Sequence, residues 1–392
     1  MPQVWLLTLA QALAACGTIV LISFAGIVGT RIAPQAFLAT LPLSCSVLGV
    51  AATSIPAALL MQRIGRKRAF IGSACLAALG ALLAAWSIAH AAFWGLCLAA
   101  VFLGANMAFV HQYRFAAAEF VPADGAGRAV ATVMIGTLVA ALVGPTLGQT
   151  VRHLNDWPEY TGSFVVLAGL CLAAALVLTR LETLPAPART ERGQQVPLRT
   201  IFARPAFRFA VLCGLASYAV MSFIMTATPL SMHVHDGFSS SATTLVITAH
   251  LLGMYLPSLV SPLIIDRLGP VRMIQAGVLI NLACVAISAF VGHAFAHYFT
   301  ALVLLGLGWN LMFVAATTLL TRSYRPEERF RAQGFNDFAV FGSQAMASLL
   351  AGTAIETLGW QALNLATVPL LLWVLWRLHR MSLQPSEPIG PG

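Results

Sequence analysis

Charge is what this sequence has least of. Only 9% of its 392 residues are Asp, Glu, Lys or Arg, while 59% are apolar. Soluble domains carry about 25% charged and about 45–50% apolar residues. A soluble chain of this length could not cover its surface with so few charges, so the solvent around most of it is lipid. Length then says less about organisation than a count of membrane spans does.

Other absences narrow the function. No HExxH, nucleophile elbow, phosphate loop or pair of catalytic carboxylates stands in a context that supports it, so no enzyme and no cofactor are expected. The cysteines (Cys16, Cys45, Cys75, Cys97, Cys171, Cys213 and Cys284) all lie in apolar runs and form no CxxC pair. They read as small packing residues, not as disulfides or metal ligands. No basic stretch precedes the first apolar run and no cleavage site follows it, which predicts a retained first helix. No sizeable soluble segment is present to carry a signal, which disfavours a transporter-fold sensor.

What is present is a series of apolar runs. A span needs about 20 mostly apolar residues. Such runs lie near 4–29, 36–61, 69–89, 92–118, 129–150 and 160–180, and again near 206–231, 241–265, 273–292, 298–320, 334–355 and 361–378. The expected fold is an all-α integral membrane protein with twelve transmembrane helices in two pseudo-symmetric six-helix bundles. The bundles are residues 1–180 and 206–380. A linker rich in proline and arginine, 181–205, joins them, and a Pro/Gly-rich tail covers 381–392.

The basic residues predict orientation. Of the 22 Lys and Arg, 19 fall in 63–68, 128, 180–208, 267–272, 322–331 and 377–380, all on one side of the twelve-span scheme. Arg31 and Arg152 fall on the other side, and Arg114 lies within a span. The positive-inside rule then puts both termini and the linker in the cytoplasm. The net charge of +9 is accounted for by topology. It forms no nucleic-acid patch.

The two halves repeat. Leu103-Gly-Ala-Asn-Met-Ala-Phe-Val110 matches Leu307-Gly-Trp-Asn-Leu-Met-Phe-Val314 at an offset of 204. The same offset relates Arg63-Ile-Gly65 to Arg267-Leu-Gly269. Internal repeats of this kind are common in secondary transporters, whose site lies at the repeat interface.

The turn after the second span, Gln62-Arg-Ile-Gly-Arg-Lys-Arg68, and the turn after the eighth, Asp266-Arg-Leu-Gly-Pro-Val-Arg272, resemble the loop signature of the major facilitator superfamily, G-x-x-x-D-R-x-G-R-K/R. With the spans, the repeat and the linker, the resemblance covers nearly the whole chain. It implies a secondary transporter working by alternating access. It also implies that Gln62, Arg63, Gly65, Arg66, Asp266, Arg267 and Gly269 belong to gating loops that latch one state. The chain departs from the signature at Gln62, where the family has an acid, and at Ala58 and Pro262, where it has glycine. Asp337 is a candidate replacement acid, pairing with Arg63 or Arg66. The loops could instead serve topology alone. In the fifth span, Gly144-Pro145-Thr-Leu-Gly148 resembles the superfamily's G-x-x-x-G-P-x-x-G-G exporter signature, with Ala140 and Gln149 at its ends. Ordinary Gly/Pro packing is the other reading of it.

Polar residues within spans are costly in lipid and point to a cavity. Candidates are Gln11 and Thr18 in the first span, Asn106, His111 and Arg114 in the fourth, Tyr218 and Ser222 in the seventh, and Trp309 and Asn310 in the tenth. The resemblance makes these four spans the cavity walls. Asn106 and Asn310 occupy matching places and are expected to line one cavity. Arg114 either holds substrate, pairs with Glu119 or Asp337, or snorkels to the interface. Proton coupling requires a titratable group in the membrane, and His111, His250 and Asp337 are the candidates. His233-Val-His235-Asp236 reads as a solvated outer loop, with metal binding as the alternative. The expected function is movement of a small organic solute, with proton-coupled efflux leading and uptake or uniport of a nutrient or metal chelate as the alternative. The expected partners are the substrate, protons and the bilayer. The setting is a monomer in the inner (plasma) membrane.

Overall fold

The computed structural model describes residues 1–35, 38, 41–154, 157–183 and 197–382. Among them all regular structure is helical. The first half comprises α1 (Pro2–Ile32), α2 (Leu41–Ile64), α3 (Arg66–Ala89), α4 (Phe93–Val110), α5 (Tyr113–Glu119), α6 (Ala126–Thr150) and α7 (Thr161–Thr179). A short α8 (Leu198–Phe202) leads into the second half. That half comprises α9 (Pro205–Pro229), α10 (Ser240–Tyr255), α11 (Ser261–Phe290), α12 (Phe295–Thr321), α13 (Arg329–Leu365) and α14 (Val368–Ser382).

Eleven stretches among the described residues are long and apolar enough to cross a membrane. The sequence predicts twelve, and the difference has a local cause. The expected eleventh and twelfth spans run together as one stretch, Pro326–Leu378. The chain turns there on a single residue, Gly359, at φ 75° and ψ 172°. The expected eighth span breaks into α10, a one-turn segment at Leu256–Leu259 and the start of α11. Pro257 sits in that segment, where its missing N–H and its ring interrupt the helical ladder. The Arg-x-Gly turns behave alike. Gly65 has φ 85° and Gly269 has φ 75°, a region that side chains disfavour, so each glycine turns the chain without a loop.

Helix pairing is the same in each half. In the first, α2 packs on α4, α1 on α6, and α3 on α4 and α7. In the second, α10 packs on α12, α9 on α13, and α11 on α12 and α14. Missing side chains permit the closest approaches. A Cβ on Gly104 would lie 2.0 Å from the Ser46 carbonyl oxygen, and one on Gly306 would lie 2.5 Å from that of His250. Small residues at such crossings let helix backbones meet where no hydrophobic force drives them together.

The halves meet through α2 against α13 and through α6 against α10, α11 and α12. At the arginine-rich end these seams are tight. A Cβ on Gly334 would be 2.6 Å from that of Ala58, and one on Gly127 would be 2.9 Å from Ile265. Toward the opposite end each half carries a cavity of its own. A cavity of about 510 Å³ is lined by Phe24, Thr146, Gln149, Thr150 and Arg152. Another of about 480 Å³ is lined by Ser231, His235, His293 and Trp360, among others.

Candidate functional site: the seam between the halves

α4 ends at Val110, and the chain restarts as α5 after a one-turn irregularity at His111 and Gln112. That break presents Gln112 and Arg114 to α13. Arg114 Nη2 donates to Asp337 Oδ1 at 2.5 Å. Gln112 Nε2 donates to Asp337 Oδ2 at 2.6 Å and Asn336 Nδ2 to Oδ1 at 3.0 Å. The side chains of Arg114 and Asp337 are 3% and 0% exposed, so this is a charge pair sealed between the halves. Desolvating two ions costs several kcal/mol each, and close pairing with added donors is what offsets it. The Arg114 guanidinium also lies 4.6 Å over the rings of Phe115 and Phe313, one from each half.

A second cluster lies closer to the arginine-rich end. Arg66 opens α3, where a cation opposes the helix dipole. It is held there by Glu119, with Nε to Oε2 at 3.0 Å and Nη2 to Oε1 at 2.6 Å. Arg66 Nη2 also donates to Gln333 Oε1 at 2.7 Å, across the seam. Gln333 Nε2 donates in turn to the Tyr324 hydroxyl at 2.5 Å. At the surface Arg128 pairs with Asp266 at 2.6 Å. An exposed pair of this kind contributes little. Arg204 grips Glu328 with two bonds, at 2.5 and 2.7 Å, within the second half.

Several expectations are revised. Asp337 does not pair with Arg63 or Arg66; its partner is Arg114, while Arg63 is exposed and Gln62 half-buried. Arg114 does not snorkel, because an acid meets it inside. Asn310 is buried and bonded within its own half. Its Nδ2 donates to the Met254 carbonyl at 2.7 Å and to Ser258 Oγ at 2.8 Å, and its Oδ1 accepts from Ser261 Oγ at 2.7 Å. The bend at Pro257 frees backbone and hydroxyl groups, and Asn310 satisfies them within its own half. Its counterpart Asn106 is buried with Oδ1 unpartnered. His250 lies inside the second half, with Nδ1 2.8 Å from the Leu302 carbonyl oxygen, away from the seam. Ser222 donates to the Gln344 carbonyl at 3.2 Å and serves α9–α13 packing. Gln11 Nε2 donates to Thr137 Oγ1 at 2.9 Å. Gly144 and Gly148 face α1, near Ile19 and Phe24, in helix packing.

The side chains of Thr18 and Pro145 lie outside the described residues, as do 184–196 of the linker and the tail from 383. Asp266 sits in the surface pair, beside exposed Arg267. His111 stacks on Phe341 across the seam, with centroids 4.0 Å apart. Gln333 escaped the sequence reading, although it lies four residues before Asp337 and so shares its helix face.

An all-α chain with apolar spans, two similarly packed halves and a buried polar seam has the make-up of a membrane transporter. Comparison supplies the family. The Major Facilitator Superfamily description matches residues 7–309 and again 210–390. The chain is similar to the riboflavin transporter RfnT of Brucella anthropi, with 38% identity over 94% of this chain and 93% of that one. It is also similar to the uncharacterized MFS-type transporter YdeG of Bacillus subtilis, with 28% identity over 88% and 86%. Among solved structures, the MFS transporter FucP in the outward conformation aligns with a TM-score of 0.79 at 17% identity, covering 98% of this chain and 99% of that one. The chain belongs to the Major Facilitator Superfamily; it is a transporter and not an enzyme.

Proposed function

We propose that this protein takes up riboflavin, or a flavin close to it, by alternating access. The observation that carries alternating access is the Arg114–Asp337 pair. It ties the two halves together toward the arginine-rich end, while the cavities toward the opposite end lie one in each half. In this reading the chain has twelve spans in two pseudo-symmetric bundles, residues 1–180 and 206–380. It lies as a monomer in the inner membrane with both termini and the linker cytoplasmic, and the form described here faces outward. Helices rocking about the seam would break the pair and open the cytoplasmic end.

Identity of 38% over nearly the full length of a riboflavin transporter supports the flavin. Efflux rested on the glycines of the fifth span. Their contacts with α1 fit ordinary helix packing as well, and the riboflavin transporter relative weighs toward uptake. Proton coupling is the finer part of the reading. Asp337 and His111 remain its candidates because both lie on the seam that must part.

The test is uptake of radiolabelled riboflavin by a flavin-auxotrophic bacterium lacking its own transporter. Expression of the chain should restore growth on low riboflavin, and a protonophore should abolish accumulation. Failure to restore uptake with the protein present in the membrane would refute the flavin reading. Uptake unaffected by the protonophore would remove the proton step.

A further inference from the structure

The second half holds an aromatic cluster next to the Arg114–Asp337 pair. Trp309 and Phe313 stack one turn apart on α12, with centroids 5.1 Å apart. Tyr218 of α9 meets them edge-on at 5.2 and 4.9 Å. Tyr255 of α10 meets Trp309 edge-on at 5.7 Å, and Phe341 of α13 meets Tyr218 at 5.3 Å. His111 completes the group from the first half.

Hydrophobic packing accounts for the rings but not for one atom. The Trp309 indole Nε1 is buried without an acceptor, in a side chain with 0% exposure. Buried indole N–H groups usually have a partner, and a low dielectric makes a missing one costly. Phenylalanine would fill the core here without that cost. Tyr255 and His111 are the members left half-exposed, so they mark the side from which the cluster is reached.

We propose that this cluster is the stacking site for the flat ring of the transported solute, and that the Trp309 N–H donates to an acceptor on the ring edge. The proposal deepens the flavin reading and rests on it. An isoalloxazine ring offers wide π-faces together with carbonyl and ring-nitrogen acceptors. Aromatic stacking holds such rings with little dependence on their substituents. The ring takes the place of the Tyr255 edge beside Trp309. Phe313, stacked on Trp309 and under the Arg114 guanidinium, connects the occupied site to the ion pair that must open.

The experiment uses the full chain in nanodiscs with riboflavin, read by quenching of flavin fluorescence. Thermal melting serves as the folding control. Wild type should bind riboflavin, with lumichrome (the ring without the ribityl chain) competing and ribitol not competing. Trp309→Phe should weaken binding about tenfold, the equivalent of one hydrogen bond of about 1.4 kcal/mol, with the melting temperature held or raised. Tyr255→Leu should change the extent of quenching, because it removes a ring that borders the site. If both variants bind and quench as wild type does, or if ribitol competes as well as lumichrome, the cluster is not the ring site and the flavin reading stands. If wild type neither binds nor transports riboflavin, the flavin reading fails and the proposal falls with it.

Discussion

Replacing Asp337 with asparagine should swing the conformational balance of this transporter. The variant keeps the size of the side chain and removes its charge, leaving the Arg114 guanidinium at 3% exposure without a counter-ion. Breaking a buried pair from one side costs about 3–5 kcal/mol. The cost falls on the closed seam alone, because an open seam lets water reach both groups. At about 1.4 kcal/mol per tenfold, the closed form should lose population by a factor between about one hundred and a few thousand. Spin labels at the exposed positions Arg63 and Arg322, one in each half, would read the distance across the arginine-rich end. Wild type should give a short distance, and Asp337→Asn a long one. The double variant Arg114→Met/Asp337→Leu should restore the short distance, since apolar replacement of a buried pair is about neutral or stabilising. An unchanged distance in Asp337→Asn would refute the argument that the ion pair holds the seam shut. Transport separates the two roles for Asp337. A pure lock predicts pH-dependent transport with altered rates, whereas a coupling group predicts exchange that persists without proton-driven accumulation.

A cysteine at Gln194, in a cysteine-free background, should be protected from impermeant thiol reagents in intact cells; labelling from outside would reverse the orientation. Asn310→Leu should lower stability by about 1–3 kcal/mol per stranded polar group, because it takes the side-chain partner from the Met254 carbonyl and from Ser258; a melting temperature equal to wild type would refute the clamp. The hydrogen bond from Arg31 holds the Glu159 carboxyl below its ordinary range. A carboxyl so depressed contributes stability that is complete above its unfolded pKa and is lost as pH falls through the lower, folded one. Arg31→Gln removes this tie and should therefore allow protease cleavage near Glu159 already at neutral pH, where wild type becomes sensitive only on acidification; an unchanged profile would count against it.

The span pattern was legible because a lipid-facing helix declares itself by apolar length alone. The repeat was legible because asparagine, glycine and arginine are sparse enough in such helices for their spacing to stand out. Two things were not. A seam between halves depends on which helix faces oppose each other, and nearly uniform apolarity hides that. Arg114 could thus be given Asp337 among its possible partners, but nothing in the order of residues chose Asp337 over Glu119. Symmetry also misled. Asn106 and Asn310 match in sequence, yet Pro257 bends α10 into α11, and the bend commits Asn310 to local backbone and hydroxyl groups. Asn106 is left with an open acceptor. Trp309 stood out in the sequence because a mid-depth tryptophan is out of place, but its contact with Tyr218 did not, nor did Tyr255 and Phe341, since single aromatics in apolar runs carry no signal.

The one-residue corner at Gly359 has a mechanical consequence. Most helix pairs in the chain are joined by several residues of slack that can absorb a tilt. Here α13 passes through the corner with its φ of 75° and continues at once toward α14. Any swing of the long arm bearing Asp337 therefore reaches the last span across one glycine and the short turn at Ala366 and Thr367. Extra length at this corner would uncouple them. A short Gly/Ser insertion after Gly359 should leave the protein folded but slow its turnover, while the same insertion in the 184–196 linker should leave transport unchanged.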